Sequence, residues 1–122
     1  MAERKETSKR YDLEDRTFEF AKNVRGFVKG LPRTITNQED ARQLLRASGS
    51  VGANYIEAND SLSKKDFVMR IKISRKEAKE SRYWLRLLDT DGQKTTETAR
   101  AALNQEAAEL MNIFGAILRK SE

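Results

Sequence analysis

An all-α fold, an up-down-up-down antiparallel four-helix bundle, is predicted for this chain by three observations. Apolar residues recur at three- and four-residue steps through four successive segments. Each segment is bounded by Gly, Pro or a capping residue. No segment sustains the apolar–polar alternation of a half-buried strand. The 122 residues are one domain's worth, enough to bury roughly two-thirds of the surface the unfolded chain exposes.

Taken in order, residues 1–10 are polar, lack core candidates and are expected to form a mobile tail, leaving 11–122 as the bundle. The first helix is predicted from about Asp12 to Lys29, with Leu13, Thr17, Phe20, Val24, Phe27 and Val28 on one face. Gly30 and Pro32 end it, the first as a C-terminal cap and the second because it cannot continue the hydrogen-bond ladder. Thr36 and Glu39 have capping-box spacing, so a second helix is predicted from near Asn37. Its inward face is Ala41, Leu44, Leu45, Ser48, Val51, Gly52, Tyr55 and Ile56. Each internal Gly costs about 1 kcal/mol relative to Ala, so Gly49 and Gly52 need an offset. Close approach of a neighbouring helix supplies one. The alternative is a phosphate-cradling turn built on Gly49, Gly52 and Asn54, but no GK[ST] follows and no strand precedes.

Ser63 and Asp66 repeat the cap spacing ahead of a third helix over Lys64 to Leu88, whose core stripe is Phe67, Ile71, Ser74, Ala78, Ser81 and Leu85. The cluster DTDGQ at 89–93 is a turn. A fourth helix is predicted from Thr95 or Thr96 to Lys120, with Ala99, Leu103, Leu110, Ile113, Phe114 and Ile117 inward and Arg119 and Lys120 at its dipole-complementing end.

Composition removes several function classes. The chain has no Cys and no His, which excludes thiol catalysis, disulfides, the usual zinc sites and imidazole acid–base chemistry. No cofactor and no metal are expected. The N-terminus MAERKETSKR lacks the apolar core of a secretory signal, and no apolar run approaches the roughly 18 residues of a membrane span. The expectation is a cytoplasmic protein without a membrane partner. Glu57, Asn59, Asp60, Glu77 and Glu80 are the polar candidates for catalysis. A di-iron bundle needs Glu-x-x-His pairs, and carboxylate-only metal chemistry is the residual enzyme class. The chain is expected not to be an enzyme.

The charge is concentrated. Residues 64–88 hold nine Lys and Arg against three acids, a local balance of +6 in a chain of net charge +5. At helical spacing Lys72, Arg75, Lys79, Arg82 and Arg86 fall on one stripe without an acid among them, with Lys76 at its margin and Arg42 and Arg46 as extensions from the second helix. Such a stripe suits phosphates, so nucleic acid is the expected partner; a solvated face with Glu77 and Glu80 as local pairs is the plainer alternative. Tyr55, Tyr83 and Trp84 form no aromatic platform, which argues against sequence-specific reading of single strands. A second stripe, Ile73, Glu77, Glu80, Trp84 and Leu87, and the off-face Tyr11 and Phe18 of the first helix predict a surface buried by another subunit. The oligomer-interface candidates are Tyr11, Phe18, Ile73, Trp84 and Leu87.

The segments YDLEDRTFEFAK at 11–22, SVGANYIEAN at 50–59, SKKDF at 63–67, KEAKESRYWLRLL at 76–88 and IFGAILRK at 113–120 carry a further signal. Together they resemble the four-helix-bundle proteins encoded in intervening sequences of bacterial 23S ribosomal RNA genes. The resemblance spans nearly the whole chain after residue 10. It implies a ring-shaped homopentamer, and kinship with the accessory protein of diversity-generating retroelements, a basic pentameric barrel that binds nucleic acid and a reverse transcriptase. The family has no established reaction, and none of its motifs amounts to an active site. The expected function is therefore a non-enzymatic homo-oligomer that binds RNA or DNA through phosphates with little sequence specificity. The alternative is a protein-interaction scaffold docking a nucleic-acid enzyme such as a reverse transcriptase.

Overall fold

In the computed structural model the four helices are α1 (Ala2–Lys29), α2 (Ile35–Asn59), α3 (Lys64–Leu87) and α4 (Lys94–Lys120). The structure describes residues 13–122 with their side chains and only the helical course of the backbone over 2–12. The backbone of α1 thus runs helically through residues 2–10, where a tail and a helix start near Asp12 were expected, while the side chain of Tyr11 lies outside the described residues. Each helix packs on its neighbours in chain order and α4 returns to α1, with no close backbone approach between diagonal helices among the described residues. Short links and this cyclic adjacency make the predicted up-down-up-down bundle. The α2/α3 seam is the most extensive and the α1/α4 seam the least.

Phe20, Val24, Leu44, Val51, Ile71, Ala78, Leu85, Leu110 and Phe114 form the buried centre. Tyr55 and Phe114 lean on one another with ring centres 6.0 Å apart. Small residues let the helices close. Ser74 donates to the Val51 carbonyl across the α2/α3 seam at 2.9 Å. Ser48 and Ser81 turn their hydroxyls back onto carbonyls of their own helices, so no buried side-chain polar atom among those described is left without a partner.

Gly49 and Gly52 sit inside an unbroken α2, which excludes the turn reading. Only Gly52 is required by packing. A side-chain carbon there would lie 2.8 Å from Thr17 Oγ1 and 3.1 Å from Thr17 Cβ of α1, whereas one at Gly49 meets only the end of Arg25 at 3.8 Å.

The start of α2 differs from expectation. Thr34, not Thr36, is the N-cap: its backbone is extended and its hydroxyl accepts from the Asn37 amide at 3.1 Å. The helix consequently begins two residues earlier, and the third helical position is Asn37 rather than a glutamate. Asn37, only 3% exposed, joins two ends of the bundle. Its Nδ2 donates to the carbonyls of Pro32 at 3.0 Å and Asp89 at 2.8 Å, and its Oδ1 accepts from the Asp89 amide at 2.9 Å. Ser63 caps α3 as the spacing predicts, accepting from Asp66 N at 3.1 Å. In the 89–93 turn, Asp91 and Gly92 both take positive φ, and Asp89 Oδ1 accepts from the Asp91 amide at 2.8 Å. Ile56, expected inward, is 47% exposed because it lies about 100° round the helix from Tyr55, outside the packed seams.

Candidate nucleic-acid interface

The positive stripe of α3 faces the side of the bundle shared with α4. Arg82 Nε lies 3.4 Å from Asn104 Oδ1 of α4, and the Arg75 guanidinium lies over Gly115 of α4. Lys72, Arg75, Lys79 and Arg86 are exposed and Arg82 is half-buried. From Lys72 to Arg86 the stripe runs about 21 Å along the helix. It is thus one wall of a shallow groove between α3 and α4, in which Asn104 and Gly115 are neutral.

What keeps this groove basic is the sorting of acids onto other flanks. The carboxylates of Glu106 and Glu109 turn toward α1, where Arg16 donates through Nε to Glu106 Oε2 at 3.1 Å and through Nη2 to Glu106 Oε1 at 2.6 Å and Glu109 Oε1 at 3.2 Å. The Glu106 hydrogen bonds hold the Arg16 guanidinium above its ordinary value, against the opposing effect of burial. Glu77 and Glu80 lie on the opposite side of α3 from Arg75 and Arg82, the side turned to α2. Lys76 pairs with Glu80 at 3.8 Å, the only ion pair made by α3 among the described residues. Lys76 therefore sits at the margin and is partly neutralised, while the five stripe cations have no carboxylate partner there.

At the end of the groove the 89–93 turn is fastened by side chains. Arg100 Nη1 donates to the carbonyls of Leu85, at 3.1 Å, and Leu88 at the C-terminus of α3, and Nη2 pairs with Glu97. Thr90 also donates to Glu97. These two bonds, Thr90 first, hold the Glu97 carboxyl below the usual carboxylate range.

Arg42 and Arg46 are exposed but do not extend the groove. They share a helical stripe with Gly49, whose open side is met by Arg25 of α1, and so belong to the α1/α2 flank. Arg119 is a cation that periodicity alone did not associate with the stripe. Its Nη1 comes to the same point over Gly115 as the Arg75 guanidinium. In the sequence its only trace is the four-residue step from Gly115 to Arg119 near the end of α4.

The surplus apolar residues divide. Phe18 is 62% and Leu87 49% exposed, whereas Ile73 and Trp84 are half-buried. Trp84 packs against the core and meets Tyr83 edge-to-face at 5.0 Å. The bundle itself therefore covers part of the second stripe. Met69 and Tyr83, not singled out from the sequence as interface residues, are 54% and 56% exposed on the same helix.

Among the described residues no helix is long and apolar enough to cross a membrane, and no group of three or more acidic residues is placed to hold a metal ion. The family model of the 23S rRNA-intervening sequence proteins matches residues 9–116. No curated protein matches the chain. A crystal structure of a protein of unknown function from the S23 ribosomal protein family of Bacteroides thetaiotaomicron superposes with a TM-score of 0.75. It shares 31% identity, over 91% of this chain and 98% of that one.

Proposed function

Because the chain belongs to the family of 23S rRNA-intervening sequence proteins, we propose that it is a non-enzymatic, cytoplasmic nucleic-acid-binding protein. It holds RNA or DNA by phosphate contacts along the α3/α4 groove. The observation that carries this reading is the sorting of charge: Lys72, Arg75, Lys79, Arg82 and Arg86 line one groove wall while the neighbouring carboxylates are engaged elsewhere. None of these cations is paired with an aromatic platform, so affinity comes from counterion release and varies little with sequence. If all five engage, the salt slope is about −4.5 for duplex and −3.5 for single strands, a loss of about 100–500-fold in affinity between about 50 and 200 mM salt. RNA is the favoured ligand on the family's genomic setting.

The same reading includes self-association, as a homopentamer. Phe18, Met69, Tyr83 and Leu87 are large apolar side chains left at the surface, which a neighbouring copy would cover. Repetition around a ring would multiply the basic groove. Those same side chains favour a second reading, a scaffold that docks a nucleic-acid enzyme and binds no nucleic acid alone.

Fluorescence anisotropy of labelled structured RNA and duplex DNA at two salt concentrations separates the two. Direct binding at micromolar protein, weakening steeply with salt and abolished by Arg75→Glu with Arg82→Glu at unchanged helicity and oligomer size, is the expected result. Absence of binding at low salt would discard the groove reading and leave the scaffold. Light scattering on the eluting protein tests the oligomer, and a monomer at high concentration would remove the ring.

A further inference from the structure

Gly115 is buried in the interior of α4, yet no helix backbone presses on it. A side-chain carbon built there would first meet Arg119 Nη1 at 3.5 Å, then Arg75 Cζ and Nε at 3.9 Å. These are ordinary contacts with the mobile ends of two side chains, so packing does not demand glycine as it does at Gly52. An interior glycine weakens a helix relative to alanine, and here no close approach offsets it. What the missing side chain creates is a seat on α4 that two guanidiniums from different helices converge upon and cover. Among the described residues neither guanidinium makes an ion pair. Like charges brought to one point repel, and an anion between them reverses the sign of that term.

We propose that Arg75 and Arg119, brought together over Gly115, form a clamp for one phosphodiester of a nucleic-acid strand lying in the α3/α4 groove. The proposal rests on the nucleic-acid reading above and adds a residue from a second helix and a defined seat. Each guanidinium fork matches two phosphate oxygens, so forks from opposite walls grip one phosphate from both sides. A strand held this way is fixed in the groove, not merely attracted to a positive helix.

The test is anisotropy of labelled single-stranded RNA and of labelled duplex DNA over a salt series, with the intact protein and four single variants. Arg75→Gln and Arg119→Gln are each expected to weaken binding about tenfold near 0.1 M salt, and to flatten the salt slope by about 0.7 for RNA and 0.9 for duplex. Gly115→Leu is expected to weaken binding similarly although it removes no charge, because its side chain would push the two guanidiniums off the seat. Lys120→Gln, the same charge change one residue on, is expected to stay within about twofold of the parent. Inorganic phosphate at millimolar concentration is expected to leave bound RNA in place; displacement would assign the seat to free phosphate and overturn the proposal. If the parent binds while Arg119→Gln behaves like Lys120→Gln, the clamp is overturned and the groove stands. If the parent binds neither probe, both fall. Arg119 is exposed near the end of α4, so its variant decides the matter even if Gly115→Leu folds poorly.

Discussion

Alanine at Gly52 and alanine at Gly49 are expected to move stability in opposite directions, although the two glycines lie one turn apart on one helix. Both substitutions gain about 0.5–1 kcal/mol of helix propensity. At position 52 the new carbon would stand 2.8 Å from Thr17 Oγ1, 3.1 Å from Thr17 Cβ and 3.6 Å from the Thr17 carbonyl carbon, the first shorter than real side-chain carbons show. Thr17 cannot easily yield. It is 1% exposed and β-branched, and its hydroxyl donates to the Glu14 carbonyl at 2.9 Å. Relief requires α1 and α2 to separate, a strain of about 2–3 kcal/mol in a packed core. The net loss for Gly52→Ala is then about 1–2 kcal/mol. At position 49 the nearest atom is Arg25 Nη2 at 3.8 Å, so Gly49→Ala keeps its full gain. The pair should differ by the strain alone, about 2–3 kcal/mol, or roughly 6–18 °C in Tm for a chain of this size. Thermal and urea melts followed by circular dichroism at one protein concentration measure this, since self-association would otherwise shift apparent stability. In a Thr17→Ala background Gly52→Ala should lose most of its cost, a coupling of about 1 kcal/mol. Equal stabilisation by both alanines would refute the close-packing account of α2.

Two further perturbations test the ends of the bundle. Asn37→Ala removes three hydrogen bonds that join the α1–α2 link to the α3–α4 turn, and should cost about 2–4 kcal/mol in urea melts. A change within about 0.5 kcal/mol would show that the two ends are not coupled through Asn37. Glu97, whose folded pKa is depressed by Thr90 and Arg100, contributes stability that is fully present above its unfolded pKa and is lost as pH falls through the folded value. Glu97→Gln should therefore flatten the acid side of the stability–pH curve and leave Arg100 capping α3 with its charge unpartnered. An unchanged acid limb would refute that assignment.

The bundle was legible because each of its parts is a local signal. Pro32, Ser63 and the DTDGQ turn punctuate the chain through backbone chemistry, and the apolar stripes place Phe20, Leu44, Ile71 and Phe114 inward by helical geometry alone. The N-cap of α2 escaped because Thr34 and Thr36 are chemically equivalent. Asn37 made the choice, since its side chain is committed to Asp89, 52 residues away. The basic wall on α3 was equally legible. Arg119 was not, because one cation near a helix end carries no periodicity of its own. Arg42 and Arg46 looked continuous with the wall because a sequence does not say which flank of α2 meets α3. The apolar surplus at Trp84 reads as exposure on an ideal wheel, yet the tertiary packing half-covers it.

Amphipathic period, caps and turns therefore determine four helices and their order, since each depends on residues within one or two turns of one another. Which charges share a groove, and which glycine is bare for lack of need and which for lack of room, depend on how neighbouring helices are rotated. That rotation is decided by the interlocking of Thr17 with Gly52 and Ser74 with Val51, pairs brought together only when the chain folds back on itself.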